Sequence, residues 1–162
     1  VDAIFRMMYP LPLDFEKNSP LLLEKDTWCP FNSQNTTFFK PVFPLLYLPA
    51  TCSFRMTDIW RSFIAQRLLW TCGWHLVFHS STVYQDRNEH DLMRDFEDEV
   101  SGYLGNKKII KLLEEIELES GEQNLSANLW RVYEVMVNAG FFKEKELIYL
   151  EAWLNDLSEL CD

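Results

Sequence analysis

The sequence predicts an α/β fold, in the form of an α+β fragment followed by a helical C-terminal region, and three observations carry that prediction. A helical stretch ending at Gly73 feeds directly into the alternating segment "WHLVFHS", and a helix running straight into a strand is the building unit of α/β architectures. From His90 onward the apolar spacing is helical throughout, and no strand pattern returns. The chain has 162 residues, 48% of them hydrophobic and 15% aromatic, which is about one domain's length with enough apolar side chain to fill a core.

Taken in order, "VDAIFRMM" reads as a short strand, and "YPLPLDFEKNSP", with three prolines and no period, as an extended loop. "WCPFNSQNTTFF" reads as a turn leading into a strand, and the prolines of "KPVFPLLYLP" limit that stretch to a turn of helix or extended backbone. In "TDIWRSFIAQRLLWTCG" Thr57 is a suitable N-cap and Asp58 a favourable charge at the positive helix end. Ile59, Trp60, Phe63, Ile64, Leu68 and Leu69 form a wide apolar face, and Gly73 closes the helix. "WHLVFHS" then sets Trp74, Leu76 and Phe78 on one side and His75, Val77 and His79 on the other. Helices follow over roughly 90–104, 106–119, 126–139 and 143–159. The last two form an antiparallel hairpin through Leu129, Tyr133, Met136 and Val137 on one side of Gly140, and Leu147, Leu150, Trp153, Leu154 and Leu157 on the other.

The net charge of −10 is unevenly spread. Residues 1–87 carry 8 Lys/Arg against 7 Asp/Glu, whereas residues 88–162 carry 7 against 18. An acidic surface repels nucleic acid and anionic membrane, which removes nucleic acid from the expected partners and leaves the acidic helices as a docking surface for a protein partner. Cys29, Cys52, Cys72 and Cys161 show no C-x-x-C pair and no histidine at zinc-like intervals, so a structural zinc site is not expected, while one or two disulfides stay open. Asn35 and Asn124 begin Asn-x-Ser/Thr sequons that fit a secretory compartment. No stretch approaches the roughly 20 apolar residues that span a bilayer, so membrane attachment is expected only through segments outside this chain, and the start at Val1 suggests a piece of something longer.

"QDRNEH" is the densest cluster of chemistry. An Asp and a His about four residues apart, here Asp86 and His90, can share a divalent metal, and Arg87 can neutralise phosphate oxygens through its planar fork. The alternative is a helix cap, with Asn88 or Asp91 bonding free N–H groups. Asp58 is either a helix-end charge paired with Arg61 one turn on, or a carboxylate able to take a proton from a hydroxyl nucleophile. The amides in "FNSQNTTFF" sit among rings, as the floor of a sugar pocket or as a turn entering a sheet. His75 and His79 read as hydrogen-bonded strand histidines, and "DFEDE" as a solvated face.

The segments "VDAIFRM", "PFNSQNT", "TDIWRSFIAQRLLW" and "VYQDRNEHDLMRDFEDE", in that order and at these separations, resemble the STELLO family over about residues 1–119. These are glycosyltransferases known in plants as Golgi membrane proteins tied to cellulose synthesis. The resemblance implies the incomplete C-terminal half of a GT-A-like glycosyltransferase domain over 1–119, with 120–162 as a helical hairpin extension. It also implies a nucleotide-sugar donor, a glycan or protein acceptor, a divalent metal (Mn²⁺ or Mg²⁺) and the Golgi lumen. Carried onto this chain, Asp58 is the candidate base. Asn32, Gln34 and Asn35 lie beside donor sugar or acceptor, Asp86 and Arg87 meet the diphosphate, and Asp2 and His90 meet the metal. Two other classes stay open: a non-catalytic glycosyltransferase-like scaffold, and a helical protein-interaction module.

Overall fold

The computed structural model describes residues 3–9, 17–86 and 89–161. Its elements run α1 (Ala3–Met8), β1 (Leu21–Leu23), a 3₁₀ helix (Lys40–Leu46), a 3₁₀ turn (Phe54–Met56), α2 (Thr57–Thr71), β2 (Leu76–Phe78) and α3 (Leu92–Glu115). A further 3₁₀ turn (Glu122–Asn124), α4 (Leu125–Asn138) and α5 (Lys145–Cys161) complete the order. The architecture is mixed and mostly helical, with one antiparallel sheet of two strands in which Leu21 pairs with Phe78, Leu22 with Val77 and Leu23 with Leu76.

The helix α2 is the axis of the core. Every residue from Ile59 to Gln66 is buried, because α3, α4 and the 3₁₀ helix at 40–46 pack around it. A helix enclosed on all sides must satisfy its polar side chains internally. Gln66 does so by bonding both backbone groups of Cys29, with Nε2 donating to the carbonyl at 2.6 Å and Oε1 accepting from the N–H at 3.0 Å. Arg67 donates to the carbonyls of Leu113 and Ile116 at 2.8 and 2.9 Å, which fastens the C-terminal end of α3 to α2. On the other side of the core, the buried carboxylate of Glu146 in α5 accepts from Tyr47 Oη at 2.5 Å and from the N–H groups of Ala50 and Thr51 at 2.9 and 2.8 Å. Tyr133, Met136, Phe142 and Leu150 share one apolar cluster with Phe63 and Leu113, so the last two helices are built into the same core as α2.

Several expectations change. The opening segment is the helix α1, since a six-residue apolar run has no decisive period and Ala3 buries against α3, its N–H bonded to Glu99 Oε2 at 3.1 Å. No strand follows the 31–35 turn. The chain instead runs into the 3₁₀ helix at 40–46, as its prolines allow. Thr57 is not the N-cap: the 3₁₀ turn at 54–56 continues straight into α2, and Met56 holds the cap position without a side-chain bond. The separate helices expected on either side of residue 105 are one helix, α3, because Gly102 and Gly105 lie against Met56 and Phe141 and need no break in the backbone. Gly73 ends α2 as expected, with φ +69°, a conformation that favours glycine. Cys29, Cys52 and Cys72 are free thiols. No helix among the described residues is long and apolar enough to cross a membrane.

Candidate active site

At the start of α2, the side chain of Asp58 is about one-third exposed. The hydroxyl of Ser33 donates to its Oδ1 at 2.6 Å, and Arg61 Nη2 lies 3.4 Å from the same oxygen. Arg61 also donates to Ser33 Oγ at 2.7 Å, so the three groups close a triangle, while Asp58 Oδ2 has no partner among the described residues. Arg61 is 2% exposed and its guanidinium carbon stands 5.0 Å from the Phe31 ring centroid and 5.1 Å from that of Phe38. Its Nε and Nη1 find no hydrogen-bond partner among the described residues. Burial pulls this guanidinium below its ordinary pKa, opposed first by the Asp58 carboxylate. The sequence showed an i,i+3 pair, but not that Phe31, Ser33 and Phe38 wrap it. The available signal was an arginine set among apolar residues on every side of a helix.

The same loop bounds a cavity of about 830 Å³ between residues 31–42, the C-terminal half of α2 and β2. Phe31 and Phe38 serve both places, since they face Arg61 and also line the cavity with Phe39, Trp74 and Phe78. Of the three predicted amides, Asn32 and Gln34 are spent on the turn itself, through Asn32 Nδ2 to Gln34 Oε1 at 3.2 Å and Gln34 N to Asn32 Oδ1 at 3.1 Å. Asn35 lines the cavity, its Oδ1 accepting from Thr82 Oγ1 at 3.2 Å.

A third group lies where the 54–56 turn enters α2. Arg55 pairs directly with Asp95, Arg6 Nη1 is 3.9 Å from the same carboxylate, and His90 Nδ1 is 3.2 Å from it. Glu99, one turn further along α3 and fully buried, receives Tyr103 Oη at 2.8 Å and stands 3.8 Å from Arg55 Nε. Asp91 caps α3, accepting from Met93 N at 3.0 Å and Arg94 N at 3.2 Å, so the capping alternative is realised by this residue. Asp86 is exposed and has no partner among the described residues. Asp2 and Arg87 lie outside the described residues. The structure thus brings Asp58 together with Ser33 and Arg61, and His90 with Asp95 and two guanidiniums, and it does not join His90 to Asp86.

The donor set does not fit a divalent ion by itself. Among the described residues no three His, Cys, Asp or Glu side chains are grouped to hold a metal. The carboxylate beside His90 is already engaged by Arg55, and two cations at that point repel a third.

The family profile described as STELLO glycosyltransferases matches residues 55–161, which takes in Arg55, Asp58, Arg61, His90 and Asp95 as well as α4 and α5. STELLO2 of Arabidopsis thaliana, named a probable glycosyltransferase, is 30% identical over 150 residues, covering 91% of this chain and 19% of its own length. STELLO1 of the same plant, named likewise, is 28% identical over an alignment of 164 positions, covering 97% of this chain and 21% of its own length. The chain spans about a fifth of the length of these curated relatives. With two-thirds of its residues inside the family profile, this chain belongs to the STELLO glycosyltransferases.

Proposed function

We propose that the chain forms the acceptor and base side of a GT-A-like glycosyltransferase, which moves a glycosyl group from a nucleoside diphosphate sugar to a hydroxyl. The observation that carries this reading is Asp58, a carboxylate whose Oδ1 is held by Ser33 and by the buried Arg61 while Oδ2 is open. A fixed carboxylate with one free oxygen is suited to accept a proton. In the reaction, the acceptor oxygen bonds the anomeric carbon, its proton passes to Asp58, and the bond from that carbon to the diphosphate breaks. Negative charge then gathers on the leaving diphosphate. Arg55, three residues before Asp58, and Arg6 supply fixed guanidiniums on that side, and His90 adds a ring to the same network. The divalent ion implied by the family enters this reading only through groups outside the described residues, Asp2 among them, and no step is assigned to it. The Golgi lumen is part of the same proposal.

The test is turnover by the full-length protein. Removing the Asp58 carboxylate as Asp58→Asn, with nucleotide-sugar hydrolysis and transfer both measured, should lower the rate on the order of 10²-fold or more in a protein that circular dichroism shows still folded at the assay temperature. A normal rate in that variant overturns the assignment.

A further inference from the structure

We infer that the cavity between the 31–42 loop and β2 binds an uncharged saccharide, which makes it the acceptor site and excludes the donor from it; the inference rests on the transferase reading above only for the word acceptor. The first ground is charge. Among the described residues no Lys, Arg, Asp or Glu side chain lines this cavity, so these residues offer no cation to a diphosphate, whereas the guanidiniums of Arg6 and Arg55 lie elsewhere, at the N-terminal end of α2. An anionic ligand entering this cavity would lose its hydration without a compensating partner. The second ground is the alternation of rings with unspent polar atoms. Phe39 is 75% exposed, and Phe38, Trp74 and Phe78 are half-buried, so ring faces are available to the C–H faces of a pyranose. The Nδ2 of Asn35 has no partner among the described residues, its oxygen being used by Thr82.

Two imidazoles complete the set. His75 Nδ1 is 3.1 Å from the carbonyl of Leu23, and His79 Nδ1 is 2.7 Å from that of Ser80. A carbonyl only accepts, so Nδ1 is the donor in each ring, and the tautomer protonated there leaves Nε2 as an acceptor for a hydroxyl. Amide N–H donors, imidazole acceptors and aromatic faces, with no formal charge, match a polyhydroxylated neutral ligand. A volume of about 830 Å³ is in the range of sites that enclose a ligand of several rings. A purely apolar occupant would cover Asn35 Nδ2 and the two Nε2 atoms without giving them a partner, at a cost in lost hydration.

The experiment uses the full-length protein made in a host that adds no N-glycans, so that nothing attached at the Asn35 sequon enters the cavity. Cellotetraose, maltotetraose and chitotetraose are titrated by calorimetry, with uridine diphosphate as the charged control. At least one oligosaccharide should bind. His79→Phe, which keeps a ring and removes the acceptor, should weaken it about tenfold, and Phe39→Ala, which removes an exposed ring, by a similar factor. Uridine diphosphate affinity should be unchanged in both variants. Three outcomes overturn the inference: no oligosaccharide binding, oligosaccharide binding that His79→Phe leaves intact, or uridine diphosphate affinity that falls with Phe39→Ala. If Asp58→Asn still abolishes transfer under any of those outcomes, the transferase reading stands and only the placement of the acceptor fails.

Discussion

Arg61 is the residue on which the site turns, and its role follows from where its charge sits. A guanidinium with almost no exposure has given up its hydration, and its compensation is one carboxylate at 3.4 Å, one hydroxyl at 2.7 Å and two ring faces. Arg61→Lys keeps the charge but cannot reach Ser33, Asp58 and both rings with one planar group. It should cost about 2–4 kcal/mol of stability by urea unfolding, more than an exposed i,i+3 pair could account for. Asp58→Asn keeps an oxygen that can accept from Ser33 but removes the carboxylate beside this buried charge; with Asp58 itself one-third exposed, it should cost about 1–2 kcal/mol. Tyr47 gives a pH test. Burial, and then the Glu146 carboxylate, push its hydroxyl far above the ordinary phenol range. The folded pKa therefore lies above the unfolded value of about 10, so the contribution is complete below about pH 10 and is lost as pH rises through the folded value. Tyr133, fully buried, shifts in the same direction. Unfolding free energies should fall above about pH 10, and Tyr47→Phe should make that fall shallower without removing it.

Among the elements, α2 and β2 were legible because their patterns are carried by residues that stay local: Gly73 at the helix end, and the alternation of Trp74, Leu76 and Phe78 against His75, Val77 and His79. What was not legible depended on contacts distant in sequence. The helix α1 forms because Ala3 and Arg6 meet Glu99 and Asp95 some ninety residues on, and the wrap around Arg61 needs the 31–38 loop. The unbroken α3 is the clearest case. Glycine lowers helix propensity by about 1 kcal/mol, which argues for a break, yet here the missing side chains admit neighbours. A Cβ on Gly102 would stand 2.1 Å from Met56 Sδ, and one on Gly105 would stand 3.0 Å from Phe141 Cε1. Met56 is fully buried and has little room to yield, whereas Phe141 is only half-buried. Gly102→Ala should therefore destabilise by about 1–3 kcal/mol despite its better propensity, and Gly105→Ala should be close to neutral. Paired thermal melts of the two variants check the contrast, and equal shifts would leave the packing explanation without support.

For the molecule as a whole, the question is what this chain can do alone. Its core is complete enough to fold, because α2, α3, α4 and α5 share one apolar cluster and the buried polar groups of Gln66 and Glu146 are bonded within it. Its sheet is different in kind: two strands of three residues each, with Leu21, Leu22 and Val77 exposed on them and Val83 and Tyr84 exposed in the segment that follows. A sheet of that size contributes little stability and leaves unpaired edges beside exposed apolar side chains, a surface that favours association. The described residues hold no grouped ligands for a metal, their guanidiniums Arg6 and Arg55 already face the carboxylate of Asp95, and the chain covers about a fifth of the curated relatives. The purified 162-residue chain should therefore unfold in a single cooperative transition, self-associate with rising concentration in light scattering, and turn over no nucleotide sugar with Mn²⁺ or Mg²⁺ present. Adding Leu22→Lys and Val77→Lys, on paired positions of the exposed strand face, should suppress the association while leaving the transition in place, since neither side chain belongs to the core cluster. Detectable transfer by the isolated chain would mean that these 162 residues already hold a whole active site, and that the donor needs no group from elsewhere in the longer relatives.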